Sequence, residues 1–541
     1  MADQPEERAP GRGARSRLAT GSAAALVVAA LVAPAEPAGA WLRLPVEAIV
    51  LGGVLLALTW ASPRARRGVA AVLGALLGLV TIVKILNIGF LVVFSRAFDP
   101  VIDWTFLRPA AEFVLASMGR PKGIAVLVVA ALVALALPVG LGWAVRRLAD
   151  VTAAMVTSGV RALRRASLAR TAGVLAAVWV LLAAVGSPLA GASVVRLVVQ
   201  QSRQVAADLN DRDAFTRVLA ADPWRGVPNG RLLTALRGKD VLLVFVESYG
   251  RVALADPGVR AVLDEGGHRL RAAGFEARTA LLTSSTLGGA SWLAHATLQS
   301  GLWVDGPLRY DALLRSDRLT LSRAFARAGW RTVCVAPANT RDWPEGRAFY
   351  GFDEILDSRT LGYRGPLFAM HSIPDQFTLA VVERLLAAPG PPVMAEIDLL
   401  SGHAPWRPVP PTLPWDQVGD GGGYPSAAGS DDLAEVIFDE DPARVRADYA
   451  AAMRYTLGTL LSFVERLDDE TVVVLLGDHQ PFSIVAGTDA SRDVPISVLA
   501  RDPTVLARLG DWSFSPGLLP SGDAPVWPMD AFRDRFLAAF G

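Results

Sequence analysis

Five apolar runs in the first 190 residues, at about 18–35, 44–61, 68–94, 123–144 and 171–189, constrain this chain more than any other feature. About 20 apolar residues cross the hydrocarbon core of a bilayer. The runs therefore predict an α-helical membrane domain of five transmembrane helices. The first run follows the Arg-rich "RGARSR" and has the layout of a signal peptide. Four further runs follow it, which favours an anchor.

The basic residues give the domain an orientation. "RGARSR" precedes the first run, "SPRARRG" joins the second and third, and "VRRLADVTAAMVTSGVRALRRASLAR" joins the fourth and fifth. With alternating crossings these segments share one side, and the positive-inside rule assigns that side to the cytoplasm. Five crossings then put everything after residue 190 outside. Residues 1–204 carry 21 Lys+Arg and 9 Asp+Glu, a balance of +12, whereas the remainder balances at −11. The two parts are thus expected in different surroundings. The basic residues flank apolar runs and form no aromatic-interleaved face, so no nucleic-acid partner is expected. Lys84 and Asn87 stand inside the third run, where a polar group must snorkel, line a cavity or pair.

Residues 191–234 read as an amphipathic linker, and 235–541 as a second domain. From about 230, short apolar runs alternate with amphipathic segments: "DVLLVFVES", "FEARTALLTSS", "WRTVCVAPA", "PVMAEIDLLSG", "TVVVLLGD" and "VPISVLA" are expected strands. Such alternation implies a mostly parallel sheet with helices on both faces, and a ligand site beyond the carboxyl ends of the strands. Cys334 is the one cysteine. It excludes an intrachain disulfide and a cysteine-based zinc site, and inside "RTVCVAPA" it reads as a small core residue. "GDGGGYPSAAGSDD" reads as an exposed insertion.

Several chemistry-bearing residues fall at those strand ends. Glu247 closes "VLLVFVES", His403 follows "VMAEIDLLSGH", and Asp478 and His479 close "TVVVLLGDH". Ser291 follows a Gly-Gly pair where a helix begins. Each has a plain reading: a turn carboxylate, a loop histidine, an N-cap serine. Their convergence is the sharper reading, since only five His occur in the chain and two sit just past expected strands. Glu247, Ser291, Asp478 and His479 offer three oxygens and one nitrogen, a set suited to Mn²⁺ or Zn²⁺, with Mg²⁺ as an alternative. A cation would activate the serine hydroxyl, and the helix N-terminus would receive a phosphate. His295 lies one helical turn after Ser291 and reads as a packing residue or a pocket wall.

With "FVES", "GGAS", "GHAPW" and "GDHQPF" in that order behind five spans, the chain resembles the alkaline phosphatase/sulfatase superfamily. It looks most like the membrane-bound lipoteichoic acid synthase and phosphoglycerol transferase branch. The resemblance implies a sulfatase-like α/β domain and one divalent metal, usually Mn²⁺, on Glu247, Ser291, Asp478 and His479. It also implies His403 at the phosphoryl group, and a Trp and an Arg at the glycerol phosphate. Trp343 and either Arg341 or Arg347, in "NTRDWPEGRAFYGFD", match that region. The branch commonly has Thr where Ser291 stands, and acidic residues soon after the nucleophile that this chain lacks. Cys334 lacks the motif from which sulfatases make their nucleophile.

The expected protein is a multi-pass protein of the cytoplasmic membrane, with its catalytic domain outside. It would transfer a phosphoglycerol-like head group from a membrane phospholipid to a glycolipid or glycan acceptor through phospho-Ser291. A membrane-anchored hydrolase is the alternative within the same chemistry, and a catalytically silent binding protein the alternative outside it.

Overall fold

The structure, a computed structural model, describes residues 11–35, 44–94, 96–118, 120–157, 161–187, 189–369, 372–426, 441–487 and 489–541. The chain divides into two compact units, Met1–Val92 with Arg96–Asp208, and Val93–Ser95 with Leu209–Gly541.

The first unit is helical: α1 (Gly11–Val32), α2 (Val46–Ala57), α3 (Pro63–Phe94), α4 (Leu107–Ser117), α5 (Arg120–Thr157) and α6 (Arg161–Ala184), with α7 (Ser193–Ala220) leading out of it. A two-residue parallel pair joins β1 (Leu44–Pro45) and β2 (Ala190–Gly191). Among the described residues three helices, not five, are long and apolar enough to cross a membrane: Arg15–Val32, Pro63–Val92 and Arg120–Val156. The other two expected spans form shorter apolar helices, Val46–Trp60 and Arg170–Ala184. The 44–61 run tightens into a 3₁₀ turn at Leu58–Trp60, and the 171–189 run stops at a turn with Gly186 at φ 66°. At 1.5 Å per residue either apolar stretch reaches roughly 22 Å, short of a core about 30 Å thick.

Two local features hold this unit. Gly74 and Gly78, one turn apart on α3, face α5 so closely that an added Cβ would stand 2.2 Å from Leu141 O and 2.5 Å from Pro138 Cα. Small residues at this spacing let helix backbones approach where lipid offers no hydrophobic drive. Lys84 pairs rather than snorkels: its Nζ donates to Ala30 O at 3.1 Å, Ala33 O at 2.9 Å and Ser193 Oγ at 3.1 Å. It thereby satisfies orphan carbonyls at the C-terminus of α1. Asn87 donates to Ala35 O at 2.8 Å and accepts from Phe98 N at 3.0 Å.

The second unit is built on a nine-stranded sheet. Its strands are β3 (Asp240–Val246), β4 (Glu276–Thr283), β5 (Arg331–Ala336), β6 (Glu354–Asp357), β7 (Val393–Leu399), β8 (Thr471–Gly477), β9 (Asp493–Ala500), β10 (Ser515–Pro516) and β11 (Val526–Pro528). The order is β10-β4-β9-β8-β3-β7-β5-β6, with β11 beside β4. The block β8-β3-β7-β5-β6 is parallel, and β9 joins both β8 and β4 antiparallel. All six expected strands are present.

Every residue of β8 is buried, as a strand covered on both faces requires. Leu243, Phe245, Met394 and Leu476 face one apolar cluster with α9 (Ser291–Ser300) and α11 (Leu321–Ala328); α10 (Pro307–Leu314) lies between those helices in sequence. Val244, Val246, Ile397 and Leu475 face the other, with α8 (Pro257–Ala272), α12 (Asp375–Leu386) and α13 (Pro442–Val464). Cys334 is buried in the first cluster as a free thiol. Of the expected low-complexity insertion, the part from 427 lies outside the described residues. The preceding part is anchored rather than wholly exposed: Tyr424 is buried, and its hydroxyl donates to Gln376 Oε1 at 3.0 Å.

Candidate metal centre

Strand register brings two carboxylates together. In the β3–β8 ladder Val246 pairs with Gly477, so the next residues, Glu247 and Asp478, leave the sheet side by side. Gly477 is required there: a Cβ would stand 1.9 Å from Tyr249 O. Gly402 is its counterpart after β7, where a Cβ would stand 2.2 Å from Glu247 O and 2.5 Å from Met453 Cε. The glycines of "LLGDH" and "SGHAPW" let three strand ends close on one another.

Ser291 arrives from the other side, at the first turn of α9. The preceding turn uses positive φ at Gly288 (74°), Gly289 (157°) and Ala290 (62°), and Gly288 N donates to Gln480 O at 2.9 Å. Ala290 holds the N-cap position, so Ser291 is not the cap. Its hydroxyl turns to the strand ends, 3.0 Å from Glu247 Oε2 and 3.1 Å from His479 Nε2. His479 Nε2 lies 3.4 Å from Glu247 Oε1 and 3.6 Å from Asp478 Oδ2. His479 Nδ1 faces Gln480 O at 2.8 Å, which assigns the proton to Nδ1 and the lone pair to Nε2.

The charges are arranged for a cation. Burial pushes the Glu247 carboxyl up, but the His479 and His403 imidazoles and the Ser248 and Ser291 hydroxyls outweigh it and hold it at about 2. Burial, then the Glu247 charge, pushes the Asp478 carboxyl up to about 6. Two shielded carboxylates, a hydroxyl and an imidazole lone pair thus meet with repulsion between the acids. Glu247, Asp478 and His479 each aim one ligand atom within 4.8 Å of the others. Three oxygens and one nitrogen in this arrangement fit a divalent cation.

The remaining expected residues fall in two places. His403 lies near enough to act on Glu247 electrostatically, and its Nδ1 faces Ala404 O at 2.6 Å. The loop that carries it is pinned by buried Asp375, whose Oδ1 accepts from Leu400 N at 2.7 Å and Ser401 N at 3.0 Å. Trp343, Arg341 and Arg347 lie after β5. Trp343 is half-buried and packs on Tyr350 and Phe352, with ring centroids 5.2 and 6.3 Å away. Arg347 is exposed and donates to Asp353 O at 2.5 Å. Arg341 is exposed.

A second cluster escaped the sequence reading. His295, one turn below Ser291, stacks on Phe245 with centroids 3.7 Å apart. Its Nδ1 lies 3.2 Å from Glu396 Oε1 and 3.7 Å from Asp398 Oδ1. Gln299 donates to the other oxygen of Glu396. Burial works against the imidazolium, yet Asp398 and Glu396 hold it up to about 9. Burial pushes Asp398 up to about 7. The available signal was the alternation of "AEID": Glu396 and Asp398 share a strand face, and His295 is spaced to meet them.

Residues 239–489 match the family model Sulfatase. This segment is a sulfatase-family domain. The sulfatase domain spans β3 to the loop after β8 and holds Glu247, Ser291, His403, Asp478 and His479. The similarity covers 251 of the 541 residues and is that of this segment to the sulfatase family. No curated protein matches it.

Solved structures similar to the chain include the lipoteichoic acid synthase LtaP from Listeria monocytogenes, 15% identical, covering 49% of this chain and 66% of that one at a TM-score of 0.31. The phosphoglycerol transferase GacH from Streptococcus pyogenes, in complex with sn-glycerol-1-phosphate, is 16% identical over 55% of this chain and 75% of that one, at 0.34. The integral membrane lipooligosaccharide phosphoethanolamine transferase A (EptA) from Neisseria meningitidis is 12% identical over 98% and 90%, at 0.45.

Proposed function

We propose that this chain is a membrane-anchored phosphotransferase. It would move a phosphoglycerol-like head group from a membrane phospholipid to a glycolipid or glycan hydroxyl outside the cytoplasmic membrane. One observation carries the reading: the Ser291 hydroxyl, at a helix N-terminus, sits on a carboxylate and an imidazole delivered by two adjacent strand ends.

A divalent cation, Mn²⁺ in the first instance and Zn²⁺ or Mg²⁺ as alternatives, would be held by Glu247, Ser291, Asp478 and His479, and would favour the serine alkoxide and offset phosphoryl charge. Ser291 Oγ attacks phosphorus, the bond from phosphorus to the diacylglycerol oxygen breaks, and the serine proton ends on that leaving oxygen. The acceptor hydroxyl then attacks phospho-Ser291, its proton returns to Ser291 Oγ, and the enzyme is regenerated. The free N–H groups at the start of α9 face the phosphoryl oxygens. His403, its Nδ1 committed to Ala404 O, presents Nε2 to the same group. Either Arg341 or Arg347 would meet the head group beside Trp343.

In this reading the helices of residues 1–190 anchor the chain in the cytoplasmic membrane, 191–234 link, and 235–541 work outside; the apolar helices support the anchor. Purified protein in lipid nanodiscs, given glycerol-labelled phosphatidylglycerol and Mn²⁺, tests it. Release of diacylglycerol with label on Ser291, then on an acceptor, is the expected result. Free glycerol phosphate without transferred label would instead assign hydrolysis.

A further inference from the structure

Ser248 stands between the two carboxylates of the candidate centre and bonds to both. Its backbone N–H donates to Asp478 Oδ1 at 2.8 Å, and its hydroxyl donates to Glu247 Oε1 at 2.8 Å. His479 N also donates to Asp478 Oδ1, at 2.7 Å. One oxygen of each acid is therefore committed to this turn. The other oxygens carry no bond to this turn: Glu247 Oε2 meets Ser291, and Asp478 Oδ2 lies 3.6 Å from His479 Nε2, which Glu247 Oε1 also approaches at 3.4 Å.

The conformation that permits both bonds is unfavourable for serine. Ser248 has φ 59°, a left-handed geometry for which glycine is the default residue. It is 5% exposed, and its carbonyl is fixed by the buried Tyr449 hydroxyl at 2.8 Å and by Gly250 N at 2.8 Å. A turn needing only shape would carry glycine here. A serine held in this geometry points to the hydroxyl itself as the reason.

We infer that Ser248 is a positioning residue, which orients the Glu247 and Asp478 carboxylates toward the cation and Ser291. The inference rests on the reading of these residues as a metal centre. Outer partners of metal ligands commonly change affinity 10–100-fold when removed, and that is the size of effect expected.

The test uses the full-length protein in detergent, stripped of metal, with Mn²⁺ binding measured by calorimetry and unfolding of the metal-free protein measured by melting temperature. Ser248→Gly deletes the hydroxyl and relieves the backbone. It is expected to bind Mn²⁺ about 10–100-fold more weakly while melting no lower than the parent. Ser248→Ala keeps the strained backbone and is expected to show the same loss of affinity. A purely structural serine would give the opposite pattern in Ser248→Gly, a lower melting temperature with parental affinity, and that result overturns the inference. Parental protein that binds no Mn²⁺, Zn²⁺ or Mg²⁺ would overturn the metal reading itself, a failure visible before any variant is made.

Discussion

Ser291 Oγ lies 3.0 Å from Glu247 Oε2, across 44 residues of chain. The contact joins the first turn of α9 to the end of β3, and the nucleophile reading depends on it. Ser291→Ala should abolish the covalent phospho-enzyme and lower turnover by roughly 10³-fold or more. Mass spectrometry of a quenched reaction and a head-group release assay read the two effects. Phospho-enzyme still formed on the alanine variant would end the proposal.

Removal of metal should be visible in stability as well as activity. A ligand at 100 times its Kd stabilises the folded state by about 2.7 kcal/mol, so Mn²⁺ should raise the melting temperature of chelator-treated protein by a few degrees. Glu247→Gln should lose most of that rise.

Asp375 provides a pH prediction. Burial raises its carboxyl to about 6, although Thr456, Ser401 and Leu400 donate to it. A carboxyl raised on folding stabilises the fold fully below its unfolded value near 4, and that contribution falls as pH rises toward 6. Asp375→Asn keeps the shape without the ionisation. Relative to the variant, the parent should lose on the order of 2–3 kcal/mol between pH 4 and pH 6.5. Urea titrations of both proteins across that range decide it, and parallel curves would contradict it.

Gly477→Ala tests the close approach behind the centre. With a Cβ only 1.9 Å from Tyr249 O, the backbone must move, at a cost of about 2–3 kcal/mol or more. Metal affinity should fall with it, since Asp478 is the next residue. A variant as stable as the parent in urea would show that the strand end yields more readily than its packing suggests.

The sheet was legible because buried parallel strands announce themselves as short runs of Val, Leu and Ile closed by Gly, Asp or Ser. The centre was legible for the same reason: its residues stop those runs. Glu396 and Asp398 were not, because they interrupt a run rather than end it, and their partners, His295 and Gln299, lie on a helix about a hundred residues earlier. Trp343 reads from sequence as an aromatic near a substrate, whereas its packing on Tyr350 and Phe352 depends on a fold the local pattern does not encode. The count of spans failed on length. Composition marked 44–61 and 171–189 as apolar, but turns at Leu58–Trp60 and at Gly186 shorten both apolar helical stretches.

The pairing of Val246 with Gly477 has a consequence for how such an enzyme can diverge. Acid and imidazole ride on the hydrogen-bonded lattice of the sheet, where a slip of one residue would turn every side chain to the wrong face. The Ser291 hydroxyl rides on a separate glycine-hinged turn. One half is locked by geometry and the other is exchangeable, so a different hydroxyl or thiol could be fitted at position 291 while the strand ends that carry Glu247, Asp478 and His479 stay unaltered.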